Sequence, residues 1–288
     1  MDLTIVVVNF KTPFLVENLV KSILETVKNL EYEIVVVDNS DIASLRFSSD
    51  NEKVKIIHLC ENKGFANANN LGAKAAKGDC LLFLNSDSIV YNNSINSAYN
   101  HFLKCDGVGV LGIRQLLANG KLDGGCKRGF PTPMRSLYYF SGLSKWFKKS
   151  KRFGAYQQTF INELDVVEVD CVSGAFMMLK KKVFEEIGGF DESFFLYGED
   201  VDLCYRLKQR GFRNIYFGKV FFTHLKSRSG AGNVEVLRHF YNSMEIFYNK
   251  HYKKKYNILI EIIIKAAIRV KFFCARRALM KRKRLENG

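Results

Sequence analysis

Short, almost wholly apolar runs alternate with helical patterns through the first third of the chain. The runs read LTIVVVNF, YEIVVVD, KIIHL and CLLFLN, and helical patterns follow Thr12-Pro13 and span about Ala66 to Lys77. Apolar residues at consecutive positions, rather than at every second one, indicate strands that helices cover on both faces. The alternation predicts an α/β fold with a mostly parallel, doubly wound sheet flanked by helices.

The second half of the chain has a different pattern. After a strand-like run, VGVLGI, residues 119–163 lose periodicity and become aromatic and basic, as in a functional or mobile loop. A strand entering a helix follows, and that helix ends at Gly188-Gly189. A second helix over EDVDLCYRLKQRG precedes two strand-like runs, RNIYF and KVFFTHL, and the pattern is helical from Val234 onward. We therefore predict a domain at 1–230 and a helical extension at 231–288.

Polar side chains close three of the apolar runs. They are Asn9, Asp38 and the segment Asn85 to Asp87. In open α/β sheets, ligands bind beyond the carboxyl ends of the strands. These residues are therefore the first candidates for a binding site.

Positive charge is concentrated outside the α/β pattern. The formal net charge is +15, and the basic residues cluster in 121–152 and in 250–288. Clustered Lys and Arg indicate an anionic partner. The sequence carries no zinc-finger, RNA-binding or helix-turn-helix signature, so we predict no nucleic-acid partner. Salt-sensitive binding to DNA would revive that reading.

Cysteine spacing and hydropathy indicate the compartment. The seven cysteines are widely spaced, odd in number and form no C-x-x-C, which disfavours a disulfide framework and a structural zinc site. The N-terminus lacks the features of a secretory signal. The apolar stretch ILIEIIIKAAIRVKFF is interrupted by charges too often for a transmembrane helix. We expect a cytoplasmic protein without a membrane crossing.

Four motifs occur in a fixed order: DNS at Asp38 to Ser40, NKGFANANNLG at Asn62 to Gly72, LNSD at Leu84 to Asp87, and GGFDESFFLYGEDVDL at Gly188 to Leu203. Together they resemble family 2 glycosyltransferases of the GT-A fold, most closely the bacterial rhamnosyltransferase-like branch. The resemblance covers Leu3 to Leu225. It implies inverting transfer of a sugar from a nucleotide-sugar donor to a hydroxyl of a glycan or lipid-linked acceptor in cell-surface polysaccharide synthesis. The domain at 1–230 would then be catalytic.

The resemblance implies a donor site at the strand ends. Asp38 would accept hydrogen bonds from the nucleotide base, and Asn39 and Ser40 would shape the adjoining turn. The implied donor-binding residues are Asn9, Asp38, Asn39, Ser40, Gly64, Phe65, Asn70, Asn85 and Ser86. The alternatives are purely structural: an Asx turn at Asp38, and a helix of small residues that packs closely on the sheet.

The resemblance also implies a divalent cation, Mn²⁺ or Mg²⁺. The family's pattern is D-x-D or N-P-D, whereas this chain has Asn85-Ser86-Asp87, which leaves Asp87 as the carboxylate ligand. His224, at the end of a strand-like run, is the second predicted ligand. Lys226 or Arg228 could contact phosphate. The alternatives are a turn residue at Asp87 and a packed histidine at 224.

By the same resemblance, Asp200 is the catalytic base that accepts the proton of the acceptor hydroxyl. Glu199 and Trp146 are predicted on the acceptor side. Displacement would be single and inverting, without an enzyme nucleophile. A carboxylate-rich first turn that caps the helix is the alternative for Glu199 and Asp200.

Helical patterns over Val234 to Tyr252 and Ile258 to Arg284 place apolar residues beside Lys and Arg. This is typical of helices on an anionic membrane surface, and the loop around Trp146, Phe147 and Phe153 has similar composition. A lipid-linked acceptor at the inner face of the cell membrane would explain both. A solvated helix pair with a homodimer seam is the alternative.

Two other functions compete with sugar transfer. One is a non-catalytic relative that only binds a nucleotide sugar. The other is a sugar nucleotidyltransferase, although NFKTPF after the first strand lacks that class's glycine-rich loop. The donor is dTDP-rhamnose by analogy with the branch, with a UDP-sugar as the alternative.

Overall fold

The computed structural model describes residues 1–42, 45, 51–226 and 233–286, with side chains up to 283. The predicted domain boundary at 230 and Arg228 lie outside these residues. The strands are β1 Leu3–Asn9, β2 Tyr32–Asp38, β3 Val54–His58, β4 Cys80–Asn85, β5 Ser88–Val90, β6 Val108–Leu117, β7 Lys127–Arg128, β8 Val166–Val169, β9 Cys171–Val172, β10 Phe176–Lys180 and β11 Arg213–His224. The helices are α1 Pro13–Thr26, α2 Phe65–Ala75, α3 Ser94–Leu103, α4 Pro133–Phe140, α5 Leu143–Trp146, α6 Lys181–Glu186, α7 Glu199–Gln209, α8 Val234–His251 and α9 Ile258–Glu286.

A nine-stranded sheet, in the order β3-β2-β1-β4-β10-β6-β11-β5 with β8 beside β11, forms the centre of the molecule. Every residue of β1 and β2 is buried, as their almost wholly apolar runs predict for strands covered on both faces. The predicted α/β class is confirmed. β1, β2, β3 and β4 pair in parallel, which aligns Asn9 with Asp38 and Val8 with Asn85.

The other half of the sheet is mixed. β10 runs antiparallel to β4 and β6, whereas β11 runs parallel to β6 and antiparallel to β5 and β8. The expected parallel order therefore describes the first four strands and the β6–β11 pair, and the remaining pairs are antiparallel. Strand direction depends on the long connections that precede β10 and β11, and hydrophobic periodicity carries no information about them.

β11 is one long strand rather than the two strands that the sequence pattern predicts. Its register against β6 shifts between Phe217 and Phe221. Gly218 lies in this irregularity, and a Cβ there would stand 2.3 Å from the carbonyl oxygen of Glu163. A bulge interrupts the apolar pattern without ending the strand.

The segment 119–163, which lacks periodicity, contains two short helices and one strand of a small sheet. β7 pairs with β9, and α4 and α5 have eight and four residues. The Thr132 hydroxyl caps α4 by accepting from the backbone N–H of Arg135 at 3.3 Å. Helices this short span too few turns to give a hydrophobic period.

α8 is built into the body of the protein. Phe247, Tyr248 and Tyr252 belong to the same buried cluster as Leu203 and Leu207 of α7. α9 packs along α8, with the rings of Tyr241 and Phe272 centred 5.7 Å apart. Within the described residues, neither α9 nor another helix has a span apolar and long enough to cross a bilayer.

Candidate active site

The carboxyl ends of β1 and β2 form a hydrogen-bonded corner. Asn9 Nδ2 donates to Asp38 Oδ1 at 2.8 Å, and the backbone N–H of Ser40 donates to the same oxygen at 3.3 Å. His58 Nδ1 lies 3.3 Å from Asp38 Oδ2. The Ser40 hydroxyl accepts from the backbone N–H of Lys11 at 3.0 Å. The structure thus brings Asn9, Asp38 and Ser40 together at one edge of the sheet.

Asn39 connects this corner to the loop before α2. Its Nδ2 donates to Asn62 Oδ1 at 2.9 Å and to the Gly64 carbonyl at 3.3 Å. Gly64 has φ +88°, and a Cβ there would lie 2.8 Å from the ring and the carbonyl oxygen of Phe195. The backbone N–H of Phe65 donates to that carbonyl at 2.7 Å. Only glycine fits here, because the φ is left-handed and the two chain segments touch.

The structure does not bring Asn70 to the strand ends. Its Nδ2 donates to the carbonyl of Phe190 at 2.9 Å, and its Oδ1 accepts from the backbone N–H of Phe190 at 2.9 Å. The same Nδ2 contacts Glu192 Oε1 at 2.9 Å. Asn70 therefore clasps the turn that precedes α7.

Asp87 lies in the turn between β4 and β5, and His224 ends β11; the two side chains contact each other. His224 Nε2 lies 2.9 Å from Asp87 Oδ1, and both side chains are largely buried. His224 Nδ1 lies 2.8 Å from Gln115 Nε2, which also donates to Asp123 Oδ2 at 2.6 Å. Because that amide is a donor as placed, Nδ1 accepts and Nε2 carries the proton toward Asp87.

Asn85, Ser86 and Lys226 surround this pair. Asn85 Nδ2 lies 3.3 Å from His224 Nε2, and Ser86 Oγ lies 3.4 Å from the Thr12 hydroxyl. Lys226 Nζ is 2.8 Å from Asp123 Oδ2, so its ammonium group pairs with the carboxylate that also accepts from Gln115. Of the two candidate phosphate contacts, Lys226 is thus engaged with a carboxylate.

The donor atoms at this position fit a divalent cation with an incomplete protein shell. Carboxylate and imidazole are common ligands of Mn²⁺, and Mg²⁺ is usually held by one or two carboxylates with substrate phosphates. Asn85 Oδ1 is buried beside the pair and accepts no hydrogen bond from the described residues. In the described part of the chain, three or more His, Cys, Asp or Glu side chains nowhere cluster as a metal site. A cation here would need phosphate oxygens and water to complete its coordination.

Asp200 stands at the start of α7 with a fully engaged carboxylate. Arg128 of β7 donates to its Oδ2, which also accepts from the backbone N–H of Gly174 at 2.9 Å. Burial alone would lower the pKa of Arg128, but the Asp200 carboxylate keeps it well above its ordinary value. Arg128 is therefore a permanent cation that fixes the rotamer of Asp200. Nothing in the basic segment 121–152 sets this arginine apart by sequence.

The backbone connects Asp200 to the end of β4. Ala175, next to Gly174, accepts from the backbone N–H of Asn85 at 3.2 Å. The predicted base and the predicted metal-ligand segment therefore border the same short stretch of chain before β10.

Glu199 and Tyr197 interact electrostatically with the predicted base, Asp200, and with the predicted metal ligand, Asp87, respectively. Burial, and next the charge of Asp200, raise the pKa of Glu199 to about 8. Partial burial, followed by the charges of Glu199 and Asp87, raises the pKa of Tyr197, which places this phenol near both carboxylates. Tyr197 also has φ +70°, a conformation that a non-glycine residue adopts at a cost. Sequence reasoning missed it, although FFLYGED displays the tyrosine two residues before Glu199.

Trp146, predicted on the acceptor side, ends α5 with 86% of its surface exposed. Its indole faces solvent rather than lining a closed pocket with Glu199. The structure brings together the strand-end residues, the Asp87–His224 pair and the start of α7. It leaves Asn70 and Trp146 apart from them.

A family model described as Glycosyltransferase like family 2 matches residues 2–239. The chain belongs to this family. The predicted resemblance is thereby confirmed, and the four motifs on which it rests lie within the matched residues.

Glycosyltransferases from an archaeon and a bacterium are among the similar proteins. The low-salt glycan biosynthesis hexosyltransferase Agl10 of Haloferax volcanii is 28% identical over 222 residues, which cover 76% of this chain and 64% of that protein. The rhamnosyltransferase WbbL of Escherichia coli K12 is 26% identical over 238 residues, which cover 74% of this chain and 82% of that protein. The chain thus spans somewhat under two thirds of the haloarchaeal relative and most of the bacterial one.

A solved glycosyltransferase shares the fold. The crystal structure of GalNAc-T7 with UDP, GalNAc and Mn²⁺ matches with a TM-score of 0.59 at 17% identity, over 86% of this chain and 48% of that one. At this identity the likeness concerns the fold alone. The predicted GT-A architecture is confirmed.

Proposed function

We propose that this protein is an inverting, metal-dependent glycosyltransferase. It transfers a sugar, rhamnose favoured, from a nucleotide-sugar donor to a hydroxyl of a glycan or lipid-linked acceptor in cell-surface polysaccharide synthesis. The observation that carries the proposal is the meeting of three groups at one edge of the sheet: the Asp38 corner, the Asp87–His224 pair and Asp200. A binding protein without chemistry would not require the third group.

The donor nucleotide occupies the corner formed by β1, β2 and the loop before α2. Asp38 is only 1% exposed, and Asn9 and Ser40 hold its carboxylate in place, so a base N–H reaches it only after neighbouring side chains in the corner shift aside. The Gly64 backbone and Phe65 border the same corner. Asn85 and Ser86 then lie on the side of the diphosphate.

The diphosphate lies against Asp87 and His224. These residues would hold the divalent cation, Mn²⁺ or Mg²⁺, which when bound would stabilise negative charge on the departing diphosphate. For His224 to become a ligand, Nε2 must be free of its proton. Gln115 then has to present its buried, unpartnered Oε1 to Nδ1–H in place of its amide N–H.

Asp200 accepts the proton of the acceptor hydroxyl. The acceptor oxygen forms a bond to the anomeric carbon as the bond to the diphosphate breaks on the opposite face, which inverts the configuration. Arg128 holds the Asp200 carboxylate in one orientation before the acceptor arrives. Glu199, with its pKa raised to about 8, is protonated at neutral pH and serves as a hydrogen-bond donor on the acceptor side.

The name of a relative supports the choice of sugar, and the distribution of charge supports the location. The rhamnosyltransferase name of the E. coli relative favours dTDP-rhamnose, with a UDP-sugar as the alternative donor. The two basic segments favour a lipid-linked acceptor and a peripheral position on the cytoplasmic face of the cell membrane. The catalytic domain is proposed to span 1–230, with 231–288 as the basic extension.

The test is donor hydrolysis and acceptor glycosylation by the purified protein across a panel of nucleotide sugars, with Mn²⁺, Mg²⁺ or a chelator. Metal-dependent turnover of one donor, abolished in Asp87→Ala and in Asp200→Ala, is expected. Glu185→Ala, on the exposed side of α6, is the matched acidic control and retains turnover. Metal-dependent nucleotide binding without turnover of any donor would instead identify a non-catalytic relative. Release of pyrophosphate from a nucleoside triphosphate and a sugar phosphate would identify a nucleotidyltransferase.

A further inference from the structure

α9 has two faces of different character along its 29 residues, about 43 Å at 1.5 Å per residue. One face is partly buried and packs toward α8, at spacings of three and four. Its residues are Ile260, Ile264, Ile268, Phe272, Ala275 and Leu279. This inner face explains why α9 is attached to the body of the protein.

The opposite face of α9 is also apolar, but it is exposed. Its residues again repeat at helical spacing: Leu259, Ile262, Ile263, Ala266, Val270 and Phe273. Ile263 is 66% exposed and Phe273 is 50% exposed. A soluble helix normally places polar side chains on the side away from the body, so this outer face requires a separate explanation.

Positive charge borders and continues the outer face. Arg269 follows Ala266 along it, and Arg276, Arg277 and Lys281 occupy the turns after Phe273. The guanidinium of Arg277 lies 4.3 Å from the ring centre of Phe273. Among the described side chains of α9, Glu261 is the one acidic group, and Lys265 neutralises it at 2.7 Å.

A second exposed apolar element adjoins α9. The ammonium group of Lys271 lies 5.2 Å from the ring centre of Phe140 on α4. α4 and α5 expose Leu137, Leu143 and Trp146 among the lysines of the basic segment. The two basic regions that are far apart in sequence are therefore neighbours in the structure.

We propose that the outer face of α9 lies in the interface of an anionic phospholipid bilayer, with its basic residues on the lipid phosphates. An apolar strip of about four turns gives burial in the acyl boundary, and the flanking cations give preference for anionic lipid. This inference deepens the proposed function, because it assigns the membrane location to a defined surface.

The position of α9 suits a membrane-bound acceptor. Tyr197, beside Glu199, packs on Phe240 of α8 at 5.7 Å between ring centres, and the next residue, Tyr241, packs on Phe272 of α9 at the same distance. α8 thus lies between α9, which carries the outer face, and the turn that contains Tyr197 and Glu199. A lipid-linked acceptor held at the bilayer surface would need to reach across only that layer.

A second copy of the chain is a poorer occupant of this face. Two α9 helices packed through it would bring two strongly basic helices together, and among the described side chains of α9 the acidic group is Glu261, which Lys265 already neutralises. Like charges at close range oppose such pairing, whereas phosphate headgroups relieve it. The charge therefore favours lipid over self-association.

The experiment measures co-flotation of the full chain with vesicles of phosphatidylcholine, either pure or mixed with phosphatidylglycerol. The protein binds the mixed vesicles at least about tenfold more tightly than the pure ones, and added salt weakens the binding. Ile263→Ser/Phe273→Ser reduces binding to mixed vesicles at least about tenfold. Leu103→Ser/Leu164→Ser removes apolar groups of similar exposure elsewhere and changes binding less than about twofold.

A charge variant separates the two contributions. Arg276→Gln/Arg277→Gln/Lys281→Gln loses the preference for anionic vesicles, while Lys21→Gln/Lys74→Gln/Lys104→Gln keeps it. Sedimentation of the same proteins without lipid reports self-association. Equal binding to both kinds of vesicle, or none, overturns the proposal. A dimer abolished by Ile263→Ser/Phe273→Ser, in a protein that ignores vesicles, also overturns it.

The readout is independent of catalysis. Soluble donor hydrolysis that survives in the α9 variants, with vesicle binding lost, shows that they are folded and supports the proposal. Donor turnover without vesicle binding in the unaltered protein refutes the membrane-binding face but leaves the proposed function intact. Vesicle binding without turnover of any donor in the unaltered protein supports the membrane-binding face but refutes the proposed function.

Discussion

Arg128 and Asp200, 72 positions apart in sequence, form a buried ion pair in which the guanidinium donates to Oδ2 of the carboxylate. The pair joins the basic segment to the start of α7. A side chain from a segment without sequence periodicity thereby orients the predicted base.

Arg128→Met is expected to lower kcat about a hundredfold, because Asp200 loses the donor that orients it. The donor KM stays nearly unchanged, because Arg128 contacts Asp200 and not the predicted donor site. Arg135→Met is the matched control, because Arg135 pairs with Asp170 at 2.5 Å in the same segment. An intact kcat in Arg128→Met would show that Arg128 has only a structural role.

Gln115→Met is expected to weaken Mn²⁺ affinity about 10- to 100-fold in the presence of a nucleoside diphosphate. The reason is that Gln115 holds the ring of His224 from behind. Calorimetric titration of the metal measures the change. Lys226→Met, which removes the cation at the far side of Asp123, serves as the control and has a smaller effect. Unchanged metal affinity in Gln115→Met would place the cation away from His224.

Glu199→Gln is expected to alter how stability depends on pH. Burial, and next Asp200, raise the folded-state pKa of Glu199 from 4.5 to about 8. The folded state therefore binds this proton more tightly than the unfolded state, and its contribution to stability is lost as pH rises from 4.5 through about 8. The wild-type Tm falls relative to that of Glu199→Gln by at least about 3 °C between pH 5 and pH 8. Parallel Tm curves for the two proteins would contradict the shifted pKa.

Asn70→Ala is expected to destabilise the protein by about 1–3 kcal/mol, because the backbone N–H and C=O of Phe190 both lose their partner. Donor KM then changes less than about threefold. Asn67→Ala removes only a bond to Glu192 from the same helix and costs less. A large rise in donor KM at unchanged Tm would instead confirm the donor contact that the family resemblance implies for Asn70.

The strands of the first half were predictable because burial on both faces leaves a direct mark in the sequence. β1, β2 and β4 are mostly apolar and almost wholly buried, and their polar last residues meet at one edge because parallel neighbours end together. Asp87 and His224 came from the family resemblance, and the structure places them 2.9 Å apart. Periodicity alone would not have paired them.

The contacts that sequence reasoning missed are those between segments without regular patterns. Arg128 is one of nine basic residues in 121–152, and its pairing with Asp200, which no sequence feature announces, distinguishes it. Gln115 lies near the end of β6, and the apolar pattern of that strand says nothing about a histidine 109 positions away. β10 runs antiparallel to β4, and this direction depends on the path of the preceding chain, which local propensity does not determine.

Gly64 and Phe195 touch so closely that neither segment can be changed alone. Substitution at Gly64 would drive a side chain into Phe195, and the Asn70 clasp fixes a second point of the same junction. A chimera that takes the segment 62–75 from a relative to alter donor choice should therefore also take 188–198. The unit of exchange in engineering this enzyme is a pair of loops, and single-loop grafts are expected to fold poorly or lose coupling between the two substrates.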